Sequence, residues 1–141
     1  MTKNVSDPAA KSPTREWVLV VDDDEPIRLM VAECLIDSGV EVVGASSGAK
    51  ALELLASAEQ EPVLALLDVL MPGIDGLTLA QRLQGRFKRG TIAIMSGHMS
   101  NLSWWPMELR DVPFLSKPFR LAELTELLSR AQADYRSKKK S

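Results

Sequence analysis

The sequence has almost none of the residues that form disulfides or bind transition metals: it contains one cysteine, Cys34, and one histidine, His98. A single cysteine excludes an internal disulfide and fits a reducing compartment. No apolar run approaches the ~20 residues that span a bilayer, and no hydrophobic signal segment follows the first residues. The formal net charge is only −2, so bulk charge gives no reason to expect nucleic-acid or membrane binding. We therefore predict a cytoplasmic protein that binds neither nucleic acid nor membranes.

The chain is long enough and apolar enough to fold around one core. Its 141 residues include 45% hydrophobic and 26% charged side chains, as in an ordinary globular domain. Residues 1–16 carry few apolar side chains and are predicted to form a flexible leader. Residues 17–134 contain the predicted domain, and residues 135–141 are predicted to form a basic tail.

Short apolar runs alternate with segments that have the helical period of about 3.6 residues. The run Val63–Leu67 shows no polar alternation, which indicates a strand buried on both faces of a parallel sheet. Strands that alternate with helices predict an α/β fold with right-handed crossovers and helices on both faces. The other predicted strands are Trp17–Val21, Val40–Ala45, Thr91–Met95 and Val112–Ser116.

The helical pattern is regular except between the last two predicted strands. There Trp104–Trp105–Pro106 interrupts any amphipathic run, because proline breaks or kinks a helix. We therefore predict a short or irregular fourth helix within residues 99–111. The last helix is predicted from about Leu121 to Ala133, with Leu121 on its buried face.

Polar side chains stand where four of the predicted strands end, and a parallel sheet brings these ends to one edge. They are Asp22 and Asp23, Asp68, Ser96 and Lys117. In open α/β folds this edge is where ligands bind. Two carboxylates about 4 Å apart repel by roughly 4 kcal/mol at an effective dielectric of about 20, so three of them need a counter-charge. A hard divalent cation such as Mg²⁺ supplies one, and the lysine ammonium suits a phosphate or carboxylate oxygen.

Each member of this set is used in phosphoryl transfer, which depends mostly on positioning and charge neutralisation. A carboxylate can act as the nucleophile and form an acyl phosphate. The pattern leaves two candidate nucleophiles, Asp68 after the third predicted strand and Asp22 after the first.

The same segments resemble the receiver domains of two-component response regulators, the single-domain chemotaxis regulator among them. The resemblance covers about residues 17–133 and implies a flavodoxin-like, doubly wound parallel sheet of five strands in the order 2-1-3-4-5. It also implies a phosphoacceptor switch that takes part in its own Mg²⁺-dependent phosphorylation and dephosphorylation, and not an enzyme in the usual sense. The matching motifs are Val20–Asp23, Asp68 with Met71–Gly76, Ser96–Gly97 and Lys117–Phe119.

The resemblance implies a phosphoacceptor and a magnesium site. Asp68 would accept a phosphoryl group from a phosphohistidine of a sensor histidine kinase or a histidine phosphotransfer domain. Asp23, Asp68 and the backbone carbonyl of Leu70 would bind Mg²⁺ directly, and Asp22 would act through water. The Lys117–Pro118 peptide bond would be cis, a form that is accessible in practice only before proline.

The resemblance further implies residues that respond to phosphorylation. Lys117 would pair with Asp68 before the reaction and with the phosphoryl group after it. Ser96 would move toward the new phosphoryl oxygen, and Phe114 would turn inward behind it.

Two further expectations concern the lifetime of the modification and its output. The resemblance implies that Leu70 and His98 flank the attacking water, and because Leu70 is apolar and cannot orient a water, we predict slow hydrolysis of the acyl phosphate unless His98 compensates. Adjacent tryptophans on a helix point about 100° apart, so at least one of Trp104 and Trp105 is predicted near the surface. An exposed tryptophan is typical of binding hot spots, so this face is the predicted surface for an unknown output partner.

Three alternatives stay open at the level of sequence. The Asp22–Asp24 run resembles the start of haloacid-dehalogenase-type phosphatases, with Asp22 as nucleophile, although the late acidic pair of that family is missing. The segment Val112–Leu115 looks like receivers attached to hybrid histidine kinases. A receiver fold that acts without phosphorylation should lack one of the acids or the lysine, and none is missing. The main expectation is a switch that acts by binding another protein, by passing phosphate on, or as one domain of a larger kinase.

Overall fold

A computed structural model of the chain describes residues 5–6, 15–97 and 107–138. In these ranges six strands combine with four α-helices and two short 3₁₀ helices, Ile36–Ser38 and Met107–Leu109. The strands are β1 (Val5–Ser6), β2 (Trp17–Val21), β3 (Glu41–Ala45), β4 (Leu64–Asp68), β5 (Thr91–Ser96) and β6 (Phe114–Ser116). The α-helices are α1 (Glu25–Cys34), α2 (Gly48–Ser57), α3 (Gly76–Gln84) and α4 (Leu121–Ser137). None of these helices combines the length and the apolar character that a bilayer crossing requires.

All six strands form one parallel sheet in the order β1-β3-β2-β4-β5-β6. The five predicted strands correspond to β2 to β6, and their predicted order of 2-1-3-4-5 is confirmed. The strands are in register so that their carboxyl ends meet at one edge. Val21, for example, lies between Ala45 of β3 and Leu67 of β4. The predicted flavodoxin-like α/β fold is therefore confirmed.

The central strands are buried on both faces, which explains why their sequences lack polar alternation. Every residue of β2 and of β4 is buried. Because successive strand residues point to opposite faces, β2 divides its side chains between two cores. Val18 and Val20 belong to the core formed with α1 and α4, whereas Leu19 and Val21 belong to the core formed with α2 and α3.

The predicted leader contributes a strand that the sequence did not reveal. Val5 and Ser6 pair in parallel with Val42 and Val43 at the outer edge of β3. An edge strand leaves backbone N–H and C=O groups unpaired, and an extended segment can satisfy them. The flexible leader of residues 1–16 stays a prediction, and β1 was not anticipated within it because two residues are too few to show the period of a strand.

The last helix is longer than predicted. α4 continues through Tyr135 to Ser137, so the predicted basic tail is helical over its first three residues. Tyr135 is buried, and its hydroxyl donates a hydrogen bond to the carbonyl oxygen of Glu61 at 2.9 Å, which anchors this last turn. The predicted burial of Leu121 is wrong, since its side chain is 55% exposed. Helical side chains lean toward the N-terminus, so the first residue of α4 leans past the end of the helix.

The segment before β6 is described only in part. Met107–Leu109 forms a 3₁₀ helix, which agrees with a shortened or irregular fourth helix as far as the described residues reach. Residues 98–106 lie outside them. β6 begins at Phe114, two residues later than predicted, because Pro113 has no N–H for the strand ladder.

Glu16 joins the two ends of the domain at the start of β2. Its carboxylate accepts hydrogen bonds from the Arg136 guanidinium at 2.7 Å and from the Gln132 amide at 3.0 Å. Bonding to Arg136 lowers the pKa of Glu16 below its usual value, against the opposing effect of burial. The charge of Glu16 therefore stabilises the folded state.

Glu16→Gln is expected to lower the melting temperature slightly at neutral pH, because a largely exposed ion pair contributes little. A lowered pKa stabilises the fold only while the carboxylate is ionised. The contribution of Glu16 is thus present above its usual pKa of 4.5 and is lost as the pH falls further. In thermal unfolding between pH 7 and pH 3, the melting temperatures of Glu16→Gln and the wild type should converge as the pH falls. The exposed Glu126→Gln on α4 is the control, and a deficit that persisted at pH 3 would contradict this account.

Candidate functional site

The carboxyl ends of four parallel strands carry the predicted site residues to one edge of the sheet. Asp22 and Asp23 directly follow β2, Asp68 and Ser96 end β4 and β5, and Lys117 follows β6. β2 and β4 flank the point where the strand order reverses, and open α/β folds bind their ligands at this point. The strand topology thus accounts for the position of the site.

The three acids form a compact cluster. One carboxylate oxygen from each of Asp22, Asp23 and Asp68 lies within 4.8 Å of the other two. Asp22 and Asp68 are only 1% and 6% exposed, whereas Asp23 is exposed, so the cluster opens to solvent at Asp23. Three hard oxygen donors at this spacing fit a divalent cation such as Mg²⁺, which takes carboxylates together with water and phosphate oxygens.

Lys117 bridges the two buried acids. Its ammonium lies 2.9 Å from Oδ2 of Asp22 and 3.0 Å from Oδ1 of Asp68. The contact with Asp68 is the one that the resemblance implies, and the contact with Asp22 was not predicted. The peptide bond between Lys117 and Pro118 is cis, as the resemblance also implies.

The cluster shifts the pKa values of its members. Burial raises the pKa of Asp68 above its usual value, and the charges of Asp22 and Asp23 add to this rise, while the hydrogen bond from Lys117 opposes it. Burial alone would lower the pKa of Lys117, but its bonds to the two carboxylates outweigh that effect and raise the pKa. Lys117 therefore stays cationic, and two buried carboxylates share one positive charge.

Asp22 is held through both of its carboxylate oxygens. Oδ1 accepts a hydrogen bond from the backbone N–H of Asp24 at 3.0 Å, and Oδ2 accepts one from Lys117. The backbone N–H of Asp22 donates to the carbonyl of Ala45 on β3 at 3.1 Å. These bonds fix the orientation of the Asp22 carboxylate.

The loop after β4 folds back onto Asp68. Gly73 turns the chain with a φ of 79°, in the left-handed region that glycine tolerates best. Asp75 then caps α3, since its carboxylate accepts a hydrogen bond from the N–H of Thr78 at 2.8 Å. Gly76 packs so closely that a Cβ there would lie 2.0 Å from the carbonyl oxygen of Asp68. The position of Asp68 thus depends on a glycine whose role the sequence motif did not explain.

The predicted switch residues lie on neighbouring strands. Ser96 is 3% exposed, and its backbone carbonyl accepts a hydrogen bond from the N–H of Lys117 at 2.9 Å. Phe114 pairs with Ile94 of β5, and its ring is 37% exposed. Ser96 is therefore buried beside the cluster, while Phe114 lies partly at the surface.

The residues predicted to tune the lifetime and to bind the output partner are described only in part. Leu70 lies two residues beyond Asp68 and is 62% exposed. His98, Trp104 and Trp105 lie outside the described residues, so their roles stay predictions.

A flavodoxin-like sheet with clustered acids and a lysine at its switch point defines a class of α/β domains with a charged site between two strand ends. The family model for the response regulator receiver domain matches residues 18–129. The chain therefore belongs to the receiver domain family of two-component systems. This assignment replaces the phosphatase alternative. Receiver domains are phosphoacceptor switches rather than enzymes in the usual sense, bind Mg²⁺ at an acidic pocket, and pair with histidine kinases and output domains.

Individual relatives agree with the family assignment. The chain is 35% identical over 124 residues to the DNA-binding transcriptional regulator NtrC of Escherichia coli (strain K12), a match that covers 86% of this chain and 26% of NtrC. The chain thus spans about a quarter of the length of this relative. The structure of chemotaxis protein CheY4 from Vibrio cholerae matches with 30% identity and a TM-score of 0.71, over 84% of this chain and 99% of CheY4. Response regulator TrrA from Thermotoga maritima, solved in complex with Mg²⁺-BeF, matches with 30% identity and a TM-score of 0.68, over 83% and 99%.

Proposed function

We propose that this receiver domain accepts one phosphoryl group on Asp68 from a phosphohistidine, and that the modification switches the binding of a partner. The observation that carries the proposal is the environment of Asp68. Its carboxylate ends β4, is nearly buried within the acidic cluster, and lies 3.0 Å from the Lys117 ammonium. Asp22 is the poorer candidate nucleophile, because both of its carboxylate oxygens are bonded to the protein.

The transfer requires little covalent chemistry from the protein. A carboxylate oxygen of Asp68 attacks the phosphorus atom as the P–N bond of the phosphohistidine breaks, and the donor imidazole leaves with the electron pair. An acyl phosphate then remains on Asp68. Lys117 would turn to the new phosphoryl oxygen and keep its contact with Asp22.

The acidic cluster would hold Mg²⁺ for this reaction. Asp23, Asp68 and the backbone carbonyl of Leu70 would bind the ion directly. Asp22 would act through water, because both of its oxygens already accept hydrogen bonds from the protein. When bound, Mg²⁺ supplies positive charge for the phosphoryl oxygens. The exposed Asp23 leaves this side of the cluster accessible to a phosphodonor.

The phosphoryl group would be sensed by Ser96 and Phe114. The Ser96 hydroxyl would move toward a phosphoryl oxygen, and the partly exposed Phe114 ring on the neighbouring strand would turn inward. The donor would be a histidine kinase or a histidine phosphotransfer domain. An unknown output partner would bind a surface altered by this movement, with the Trp104 and Trp105 face as the candidate. Leu70 is apolar and exposed, so the acyl phosphate should be hydrolysed slowly.

Intact mass spectrometry tests the proposed modification. Wild-type protein incubated with a small acyl phosphate and Mg²⁺ should gain the mass of one phosphoryl group, and hydroxylamine should remove it, as expected for an acyl phosphate. Replacing Mg²⁺ with EDTA should reduce the labelled fraction by about tenfold or more. Labelling that resisted hydroxylamine, or that was equal in EDTA, would overturn the proposal.

Lys117→Arg is expected to fold and to accept the label, but to lose most of the conformational response. A guanidinium keeps the positive charge, but it is a wide planar fork and cannot replace a compact ammonium between two carboxylates. The response is measured as the change in the NMR shifts of the Phe114 ring on phosphorylation. Lys88→Arg, in the exposed loop before β5, is the control and should respond as the wild type does. If the Phe114 ring shifts changed as much in Lys117→Arg as in the wild type, a positive charge alone would suffice for the conformational response.

A further inference from the structure

Arg28 connects helix α1 to the backbone of the acidic site. Its Nη1 donates a hydrogen bond of 2.7 Å to the carbonyl oxygen of Asp22. That carbonyl belongs to the peptide group that joins Asp22 to Asp23. The guanidinium therefore holds the main chain between two acids of the cluster.

The Arg28 side chain crosses the end of β3 to reach this carbonyl. A Cβ built on Gly44 would lie 3.1 Å from Cδ of Arg28, closer than an ordinary contact. Gly44 pairs with Val20 of β2, and the next residue, Ala45, accepts the N–H of Asp22 at 3.1 Å. Because Gly44 has no side chain, the Arg28 side chain can pass over it and reach the carbonyl of Asp22.

With this contact, each polar group of Asp22 is bonded. Its N–H is bonded to β3, its carbonyl to Arg28, and its carboxylate oxygens to Asp24 and Lys117. The N–H of Asp23 belongs to the same peptide group as the Asp22 carbonyl, and the Asp23 side chain is exposed. Loss of the Arg28 bond would free this peptide group to rotate and would change the direction in which Asp23 presents its carboxylate.

We propose that Arg28 is a positioning residue, which orients the Asp22–Asp23 peptide group so that both carboxylates face Asp68 and the Mg²⁺ that Asp23 would bind directly and Asp22 through water. The inference rests on the proposed function. It predicts that removal of Arg28 changes the Mg²⁺ affinity in the direction opposite to the change that the loss of charge alone would cause. Removal of a nearby positive charge would tighten Mg²⁺ binding because it relieves Coulomb repulsion, whereas loss of positioning weakens it.

A double-mutant cycle between Arg28 and Gly44 tests this role, with Mg²⁺ binding measured by titration calorimetry. Arg28→Ala removes the donor and should raise the Kd for Mg²⁺ about three- to tenfold, the effect of one hydrogen bond. Gly44→Ala displaces the Arg28 side chain without removing its charge, and should raise the Kd in the same direction. Arg28→Ala removes the two atoms nearest to the added methyl group and leaves the Arg28 Cβ at 3.6 Å, an ordinary contact, so the double variant should bind like Arg28→Ala. Arg28→Lys keeps a donor and the charge, and should recover part of the affinity.

A second measurement requires no metal. The amide nitrogen of Asp23 belongs to the held peptide group, so its ¹⁵N chemical shift reports the hydrogen bond to the Asp22 carbonyl. In EDTA, Arg28→Ala should move this resonance. Arg82→Ala removes an exposed arginine from the last turn of α3, and should leave both the resonance and the Mg²⁺ affinity close to wild type.

An unchanged or tighter Kd in Arg28→Ala, additive effects in the double variant, or an unmoved Asp23 resonance would each overturn the role of Arg28. If Arg28→Ala did not fold, the Kd values of Gly44→Ala and Arg28→Lys for Mg²⁺ would decide in its place. A Kd equal to that of the wild type in Gly44→Ala would then overturn the role. If the wild type bound no Mg²⁺, the proposed function would fail, and the Asp23 resonance would still show whether Arg28 holds the peptide group.

Discussion

Asp68→Asn is expected to abolish phosphoryl labelling and to leave a folded protein. The amide has the shape of the carboxylate, and its oxygen can still accept a hydrogen bond from Lys117, but it is not a nucleophile. A carboxyl group whose pKa is raised by burial costs stability at neutral pH, so the neutral amide should melt no lower than the wild type. Intact mass spectrometry with a small acyl phosphate and Mg²⁺ measures the first effect, and thermal unfolding in EDTA measures the second.

Two further variants distinguish Asp68 from the other acids. Asp37→Asn, in the 3₁₀ helix after α1, changes an exposed carboxylate and should label like the wild type. Asp22→Asn should still be labelled on Asp68, but more slowly, because the acidic cluster loses one carboxylate and Lys117 loses one of its two negatively charged partners. Full labelling of Asp68→Asn, or a label that mapped to Asp22, would place the acceptor elsewhere.

A single methyl group at Gly76 should produce the second large effect. A Cβ at this position would lie 2.0 Å from the carbonyl oxygen of Asp68 and 3.0 Å from the Cα of Val69. Both are main-chain atoms, so no side chain can rotate away, and either β4 or the start of α3 must shift. We expect Gly76→Ala to lower the free energy of unfolding by about 3 kcal/mol, although alanine is the better helix former.

Urea unfolding in EDTA measures this cost, and Gly85→Ala is the matched control. Gly85 follows the same helix with a φ of −80°, and no described atom beyond its chain neighbours lies within 4 Å of a Cβ there. Its replacement should change the free energy of unfolding by less than about 0.5 kcal/mol. Folded Gly76→Ala should also label Asp68 more slowly, because the displaced backbone carries the carboxylate. Equal stability of the two alanine variants would contradict the close approach at Gly76.

The sheet and the acids of the site could be predicted because their signals are local in the chain. Val63–Leu67 indicated β4 by its unbroken apolar character, which burial on both faces requires. Asp68 then stood out as the polar residue that ends the strand. The pairing of Lys117 with Asp68 required the resemblance to receiver domains, since the two residues are separated by 49 positions.

The features that escaped prediction depend on contacts between distant segments. Arg28 lies on an ordinary helix, and nothing in its neighbourhood along the chain indicates that Gly44, on another strand, gives it a path to Asp22. Tyr135 extends α4 past its predicted end because its hydroxyl meets the carbonyl of Glu61, 74 positions earlier. Such contacts are set by the three-dimensional fold and leave no periodic signal in the sequence.

The short strand β1 has a practical consequence for handling the protein in solution. Val5 and Ser6 cover β3 at Val42 and Val43, while the opposite border of the sheet, β6, is only three residues long. A shortened protein that began at residue 15 would present an uncovered strand to its neighbours, and uncovered strands pair with one another. Recombinant versions should therefore keep the two residues of β1, so that samples concentrated for crystallisation or NMR retain this cover on β3.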